Sequence, residues 1–312
     1  MKKTLFAFVI GAVMLSLIPS SAYATTNSVS DDFQNNVKKP DLSLPWDLWY
    51  VILDSADSHG FLRLENLQNP VRSNNAVSLT KESDGSIKYA RMTMRPQQYP
   101  GFFNTVQLSD QRDGFTYNAQ HRWLPTVNHP ITMRTRLRAS SNYNADGSGG
   151  AIGTFGTWLQ NNPNELSAAA QANPERIDEF TSHNDNFFAI GFNWTDPVAL
   201  NGYFKGFKTM VIDKYSTALT TTDLPTVNLH DWVNTKAVWS VNEAGVQTVT
   251  FFINDQQVAS NVLDIPMPAL SIATWIDDEQ PQFDANGGII FNYGNPTAQQ
   301  NVDIDSISVT QN

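Results

Sequence analysis

The feature that most restricts the fold of this chain is its rhythm. From Phe33 onward, short apolar or alternating runs are cut by clusters of Asn, Asp, Gly and Pro, the pattern of many strands joined by turns. In Ile131-Thr-Met-Arg-Thr-Arg-Leu-Arg138, the residues Ile131, Met133 and Leu137 fall on one side of an extended chain and Arg134, Arg136 and Arg138 on the other. Successive strand side chains point to opposite faces, so this segment predicts a strand with one buried and one wet side. Lys236–Val241, Val246–Ile253 and Gln257–Val262 read as successive strands, with Asn242-Glu-Ala-Gly245 and Asn254-Asp255 as their turns. Gly288–Tyr293 and Val302–Thr310 read as the last strand pair. The expected core includes Ile131, Met133, Leu137, Val238, Trp239, Val249, Phe251, Ile253 and Ile272.

One helix is expected. Asn162 caps it, Pro163 takes its first position, Glu165 completes a capping box, and Leu166–Ala172 are good helix formers stopped by Asn173-Pro174. There is no internal repeat, and neither a linker nor a second core pattern is visible, so residues 31–312 are read as a single domain.

The first residues carry Lys2 and Lys3, an apolar run from Leu5 to Ile18, Pro19, and the small-x-small triplet Ala22-Tyr23-Ala24. That order predicts a secretory signal peptide, residues 1–24, cleaved after Ala24, followed by a flexible mature terminus over residues 25–30. The run falls short of the ~20 apolar residues that span a bilayer. With no cysteine there is neither a lipid-anchor acceptor nor a disulfide framework. The expectation is a secreted or periplasmic monomer, not inserted in a membrane and held together by its core. The formal net charge of -10 becomes -12 once Lys2 and Lys3 are removed (-10 - 2). Such a balance argues against nucleic acid, which is bound through clustered Lys and Arg, and against anionic membrane surfaces.

Three stretches carry a resemblance to a known family. The first is the arginine-rich strand ending in a glycine-rich loop and Gly153-Thr-Phe-Gly-Thr-Trp-Leu159. The second is His230-Asp-Trp-Val-Asn-Thr-Lys-Ala-Val-Trp-Ser240 followed by Gly245-Val-Gln-Thr-Val-Thr-Phe-Phe-Ile-Asn-Asp255. The third is the terminal Val302-Asp-Ile-Asp-Ser-Ile-Ser-Val309. Together they resemble the concanavalin A-like lectin and glucanase superfamily, which includes glycoside hydrolase family 16, legume-type lectins and laminin-G-like modules. The resemblance implies an all-β, two-sheet antiparallel jelly-roll sandwich and a polysaccharide or glycan as partner. Fold does not fix function in so broad a group.

A retaining glycosidase needs two carboxylates about 5–5.5 Å apart, as nucleophile and acid/base. Family 16 supplies them from one strand, and the corresponding acidic cluster here is Glu175-Arg-Ile-Asp-Glu-Phe180, giving Glu175, Asp178 and Glu179 as candidate catalytic residues. Their spacing departs from the family pattern. Glu175 and Asp178 are three apart and face opposite ways on a strand, and with Asp178 as the central aspartate the nucleophile position holds Arg176. A bulge or another register brings Glu175 and Glu179 together; otherwise the cluster is a solvated turn. No G-x-S-x-G elbow occurs, and the five histidines show no zinc spacing.

Sugar binding without hydrolysis uses aromatic faces against pyranose rings, with Asp, Asn and Gln reading hydroxyls. Trp158, Trp194, Tyr203, Phe204, Trp275, Asp277 and Asp278 are the candidates. Trp275 ranks first, because the polar run Asp277-Asp278-Glu279-Gln280 after it predicts an exposed rim at a strand end. No cofactor is required. The resemblance also implies a structural calcium, a hard cation wanting oxygen ligands, with Asp305 as one ligand and Asp32 or Asp31 as another. The leading expectation is an exported carbohydrate-binding protein. The alternatives are a family 16-like hydrolase of β-glucan or a related substrate, with a displaced carboxylate pair, and a structural or adhesive surface protein.

Overall fold

The computed structural model describes residues 28–33, 50–55, 76–86, 88–96, 104–109, 123–160, 187–193, 205–212, 220–264, 266–267, 269–283, 289–294 and 296–311. In chain order the strands begin with β1 (Ser28–Asp31), β2 (Tyr50–Ser55), β3 (Ala76–Lys81), β4 (Lys88–Met94), β5 (Asn104–Ser109) and β6 (Ile131–Ala139). They continue with β7 (Thr154–Gln160), β8 (Phe187–Asn193), β9 (Gly206–Ile212), β10 (Thr220–Asp223), β11 (Val233–Val241) and β12 (Gln247–Ile253). The last are β13 (Gln256–Val262), β14 (Ser271–Asp277), β15 (Glu279–Phe283), β16 (Ile289–Tyr293) and β17 (Gln300–Gln311). No helix occurs among the described residues, and the one expected over Pro163–Ala172 lies outside them. Ser28–Ser30, expected in a flexible terminus, stand in β1 and pair with Ser308–Thr310.

Among the described residues all strand pairs are antiparallel, and they build the expected two-sheet sandwich. One sheet has eight strands, in the order β13-β12-β11-β6-β17-β4-β3 with β1 beside β17; the other has seven, in the order β10-β9-β8-β7-β14-β5-β2. One apolar cluster joins their inner faces, including Ile131, Met133, Leu137, Trp239, Val249 and Phe251 from the first sheet and Val106, Phe155, Phe188, Ile190 and Ile272 from the second. Phe188 meets Trp239 edge-on at 5.8 Å and Phe251 at 6.3 Å, so one side chain ties the sheets across the core.

Two expectations about strands need correction. Val238 is not core: Val233, Thr235, Ala237 and Trp239 are buried while Val238 is half-buried on the outer face. Val238 and Trp239 are both apolar, so the local sequence fits either register, and pairing of Trp239 with Val249 and Ile131 settles which side turns inward. The second concerns the chain end. β16 pairs with β15 in a small separate ribbon, while β17 lies between β6 and β4. β17 is long enough to pair with β4 through its first half and β1 through its second, with a bulge at Asp305 where the buried positions shift from Val302 and Ile304 to Ile307 and Val309.

The arginine side of β6 is also not simply wet. Arg134 is exposed, but Arg136 and Arg138 are half-buried and paired with β17. The Asp303 carboxylate, 5% exposed, accepts from Arg91 Nε and Nη2 at 2.7 and 2.9 Å and from Arg138 Nε at 2.9 Å. The hydrogen bond to Asp303 raises the Arg91 pKa further above its ordinary value. Arg138 also reaches Glu82 at 2.6 Å, and its guanidinium lies over the rings of Tyr89 and Trp232 at 4.9 and 4.4 Å. This is a mutually neutralised lattice of charge and aromatic rings that closes the outer side of the larger sheet.

Candidate functional site

The face that gathers unusual chemistry is the outer side of the seven-stranded sheet. In β7 the alternation sends Phe155, Thr157 and Leu159 inward and Thr154, Gly156 and Trp158 outward; in β14 it sends Ile272, Thr274 and Ile276 inward and Ala273, Trp275 and Asp277 outward. The inward threonines are satisfied locally, since Thr157 Oγ1 donates to Thr274 Oγ1 and Thr274 Oγ1 to the Gly156 carbonyl. The outward residues form a second apolar cluster separate from the core, made of Trp275, Ala189 and Met210 with Trp158 and Phe187 against them.

Trp275 is the centre of this cluster. Its partner across the strands is Gly156, and a Cβ there would come within 2.7 Å of Trp275 Cη2, so the indole lies over the glycine. On one side it stacks on Trp158, with ring centroids 4.0 Å apart and planes at 23°. On the other its Nε1 donates to Thr154 Oγ1 at 2.8 Å, and that hydroxyl donates onward to Asp277 Oδ1. Gly156 faces Gly191 of β8, where a Cβ would stand 2.1 Å from the Phe155 carbonyl oxygen. The two glycines therefore let β7 and β8 approach closely and make room at Gly156 for the indole.

Beyond Gly191 the same rung continues to Lys208 of β9 and Asp223 of β10. Lys208 is 1% exposed, and its Nζ contacts Asp223 Oδ1 at 3.1 Å. Burial pushes the Lys208 pKa down, opposed by the hydrogen bond and charge of Asp223. Asn193, at the end of β8, is 3% exposed, and its Oδ1 is buried without a hydrogen-bond partner; Trp158 Nε1 is in the same condition. At this end of the sheet Asp277 and Asp278 are buried, and the Asp278 carbonyl accepts from Gly294 N at 2.8 Å. Burial, then the charges of Asp277 and Asp278, hold the pKa of the enclosed Tyr143 hydroxyl well above its ordinary value.

The structure therefore brings three expected residues together, Trp158, Trp275 and Asp277, while Asp278 follows at the strand end with its charge near Tyr143. Trp275 is not the exposed rim aromatic that the following acidic run predicts. It is 3% exposed because Trp158, Thr154 and Met210, from segments far away in sequence, enclose it. Trp158 is the half-exposed member of the pair. Trp194, Tyr203 and Phe204, and the acidic residues Glu175, Asp178 and Glu179, lie outside the described residues. Sequence reasoning missed Thr154, Asn193 and Lys208 as members of this face. Lys208 had a signal, since it interrupts the apolar alternation of Gly206-Phe-Lys-Thr-Met-Val-Ile212 on the side shared with Met210.

The residues implied as calcium ligands each hold other partners among their neighbours. Asp305 Oδ2 accepts from Arg136 Nη1 at 2.8 Å, which places a positive group on the carboxylate a metal would need. Asp31 Oδ1 accepts from the Phe33 N–H at 2.7 Å, and Asp32 follows it at the exposed end of β1. Among the described residues no group of three or more His, Cys, Asp or Glu side chains is placed to hold a metal ion.

Neither a protein-family model nor a curated protein matches the chain. Among solved structures it is similar to the β-glucanase of Bacillus licheniformis at 10% identity, over 92% of this chain and 100% of that one, with a TM-score of 0.47. It is similar to an endo-β-1,4-glucuronan lyase from the fungus Trichoderma reesei at 9% identity, over 84% and 94% of the two chains, with a TM-score of 0.44. The carbohydrate recognition domain of Emp47p matches at 10% identity over 78% and 89%, with a TM-score of 0.39.

Proposed function

We propose that the protein is an exported, monomeric carbohydrate-binding sandwich that holds a polysaccharide against the outer face of its seven-stranded sheet and needs no cofactor to do so. The observation supporting this reading is the stacked Trp158–Trp275 pair on the side of the sheet away from the core. An antiparallel sheet buries one face and ordinarily leaves the other to polar side chains. Here that other face carries two indoles, a phenyl ring and a methionine, bordered by a buried carboxylate, a hydroxyl, an amide and an ammonium. Aromatic area with a few fixed polar groups is the composition of a sugar site, because a pyranose has an apolar face and a hydroxyl rim. Trp158 supplies the accessible ring, and Trp275, pinned by Thr154 and lying over Gly156, fixes its tilt.

The hydrolase alternative depends on Glu175, Asp178 and Glu179, whereas the described face supplies groups for stacking and hydrogen bonding. Affinity electrophoresis of the mature chain, begun at Thr25, through gels holding single soluble polysaccharides tests the binding reading. We expect retardation by at least one polysaccharide, and Trp158→Ala to weaken it by about 2 kcal/mol, roughly thirtyfold, without loss of a cooperative thermal transition. If Trp158→Ala migrates like the parent in every gel, the reading fails. If the parent releases reducing sugar and Glu175→Gln or Glu179→Gln abolishes that release, the hydrolase alternative replaces it.

A further inference from the structure

We propose that the open half of this face selects neutral polysaccharides over acidic ones, and that Gln160 is the side chain that reads their hydroxyls beside Trp158. This rests on the carbohydrate-binding reading and names its ligand class. The outward residues of the seven-stranded sheet divide into an enclosed and an open half. Thr154, Asp277, Asn193 and Lys208 are buried, as are Gly156 and Trp275 next to them. Along β7 this burial ends at Trp158, which is half-buried, as is Gln160 after it; Phe187, the strand partner of Gln160, is half-buried too. The Trp158 and Phe187 ring centroids are 5.8 Å apart. Residues two apart on a strand share a face and lie about 7 Å from each other, so Gln160 stands beside the two rings, within reach of the hydroxyls of a sugar seated on them.

A carboxamide suits that place, because it both donates and accepts, as a sugar hydroxyl does, and carries no charge. Among the described residues the Gln160 side chain holds no hydrogen-bond partner, so a ligand hydroxyl displaces only water from it. The charges of the face point the same way. On the strands of this sheet, among the described residues, no cation is accessible: Lys208 is 1% exposed and already paired, while its partner Asp223 is 67% exposed at the sheet edge. The other half-buried polar side chains of the face, Gln107 and Thr221, are neutral; they are the strand partners of Trp275 and Met210. An acidic sugar seated on Trp158 therefore meets no accessible counter-charge, and taking an unpaired carboxylate out of water is costly. A neutral sugar loses only hydroxyl hydration there, which an amide restores.

Electrophoresis of the mature chain through gels holding one polysaccharide each tests the inference, with galactomannan, xyloglucan and mixed-linkage β-glucan as neutral probes and alginate, polygalacturonate and hyaluronate as acidic ones. We expect the tightest binding in a neutral gel, about tenfold or more tighter than in any acidic one. In that gel Gln160→Ala should weaken binding about fivefold, the loss of one net hydrogen bond, and Gln160→Glu, which keeps the shape and removes the donor, should weaken it at least as much. Tightest binding in an acidic gel, or a Gln160→Ala variant retarded as strongly as the parent, overturns the inference and leaves the carbohydrate-binding reading standing where Trp158→Ala still weakens binding. If Gln160→Ala loses its cooperative thermal transition, the parent's preference between neutral and acidic gels decides. If no gel retards the parent, both readings fall.

Discussion

Replacing Asp303 with alanine is expected to lower the free energy of unfolding by about 3 kcal/mol, because breaking a buried pair strands the charges that remain. The carboxylate is 5% exposed and holds three guanidinium donors from two arginines, Arg91 at 35% and Arg138 at 21% exposed. Without it the two cations face each other over Tyr89, where both guanidinium groups lie within 5.5 Å of the ring centroid. Partial exposure of the arginines keeps the figure at the low end of what fully buried pairs show. Asp303→Asn keeps the shape and loses the charge, so most of the effect should persist. Asp305→Ala, which frees one arginine contact on the same strand, should have a smaller effect. Urea unfolding of the three variants measures this. An Asp303→Ala midpoint equal to the parent's would show that the lattice on the larger sheet contributes no stability.

Trp239→Ala is expected to destabilise by about 3–5 kcal/mol, the range for removing a large aromatic from a packed core. Trp239 is fully buried between the sheets and meets Phe188 across them. It is also a polar anchor: Nε1 donates at 3.0 Å to Gln247 Oε1, which accepts as well from Met267 N at 2.9 Å, while Gln247 Nε2 donates to the Met267 carbonyl at 3.3 Å. Alanine removes the ring and leaves Gln247 with one donor fewer in a buried site. Trp239→Phe separates the two contributions, since it keeps most of the packing and loses only the N–H, for which about 1–2 kcal/mol is expected. Thermal unfolding that is equally shifted by Phe and Ala would mean the hydrogen bond, and not the ring, dominates.

How much of this was legible beforehand follows from whether the information was local. Strand β6 was plain, since its three inward apolar residues alternate with arginines without interruption. The role of those arginines was not, because Asp303 and Asp305 lie more than 160 residues away and only pairing of β6 with β17 brings the two sets opposite each other. Val238 failed for a different reason: two adjacent apolar residues satisfy either phase of a period-two pattern. At the site, Trp158 and Trp275 were both chosen from composition and position, yet their stacking arises from register between β7 and β14. The polar run after Trp275 misled because the strand end it marks is enclosed by Thr154 and by Tyr143 of the preceding connection. Lys208, a single lysine in an apolar strand, has the local pattern of a wet position, and its burial comes only from the assembled sheet.

Ligand is expected on the outer face of the seven-stranded sheet. A crystal structure of the mature chain, soaked with the oligosaccharide that binds it most tightly, locates that ligand directly. The expected result is a pyranose ring stacked on the partly exposed Trp158 indole. A ring seated instead on the Arg136, Arg138 and Trp232 surface of the larger sheet, with Trp158 untouched, would contradict it.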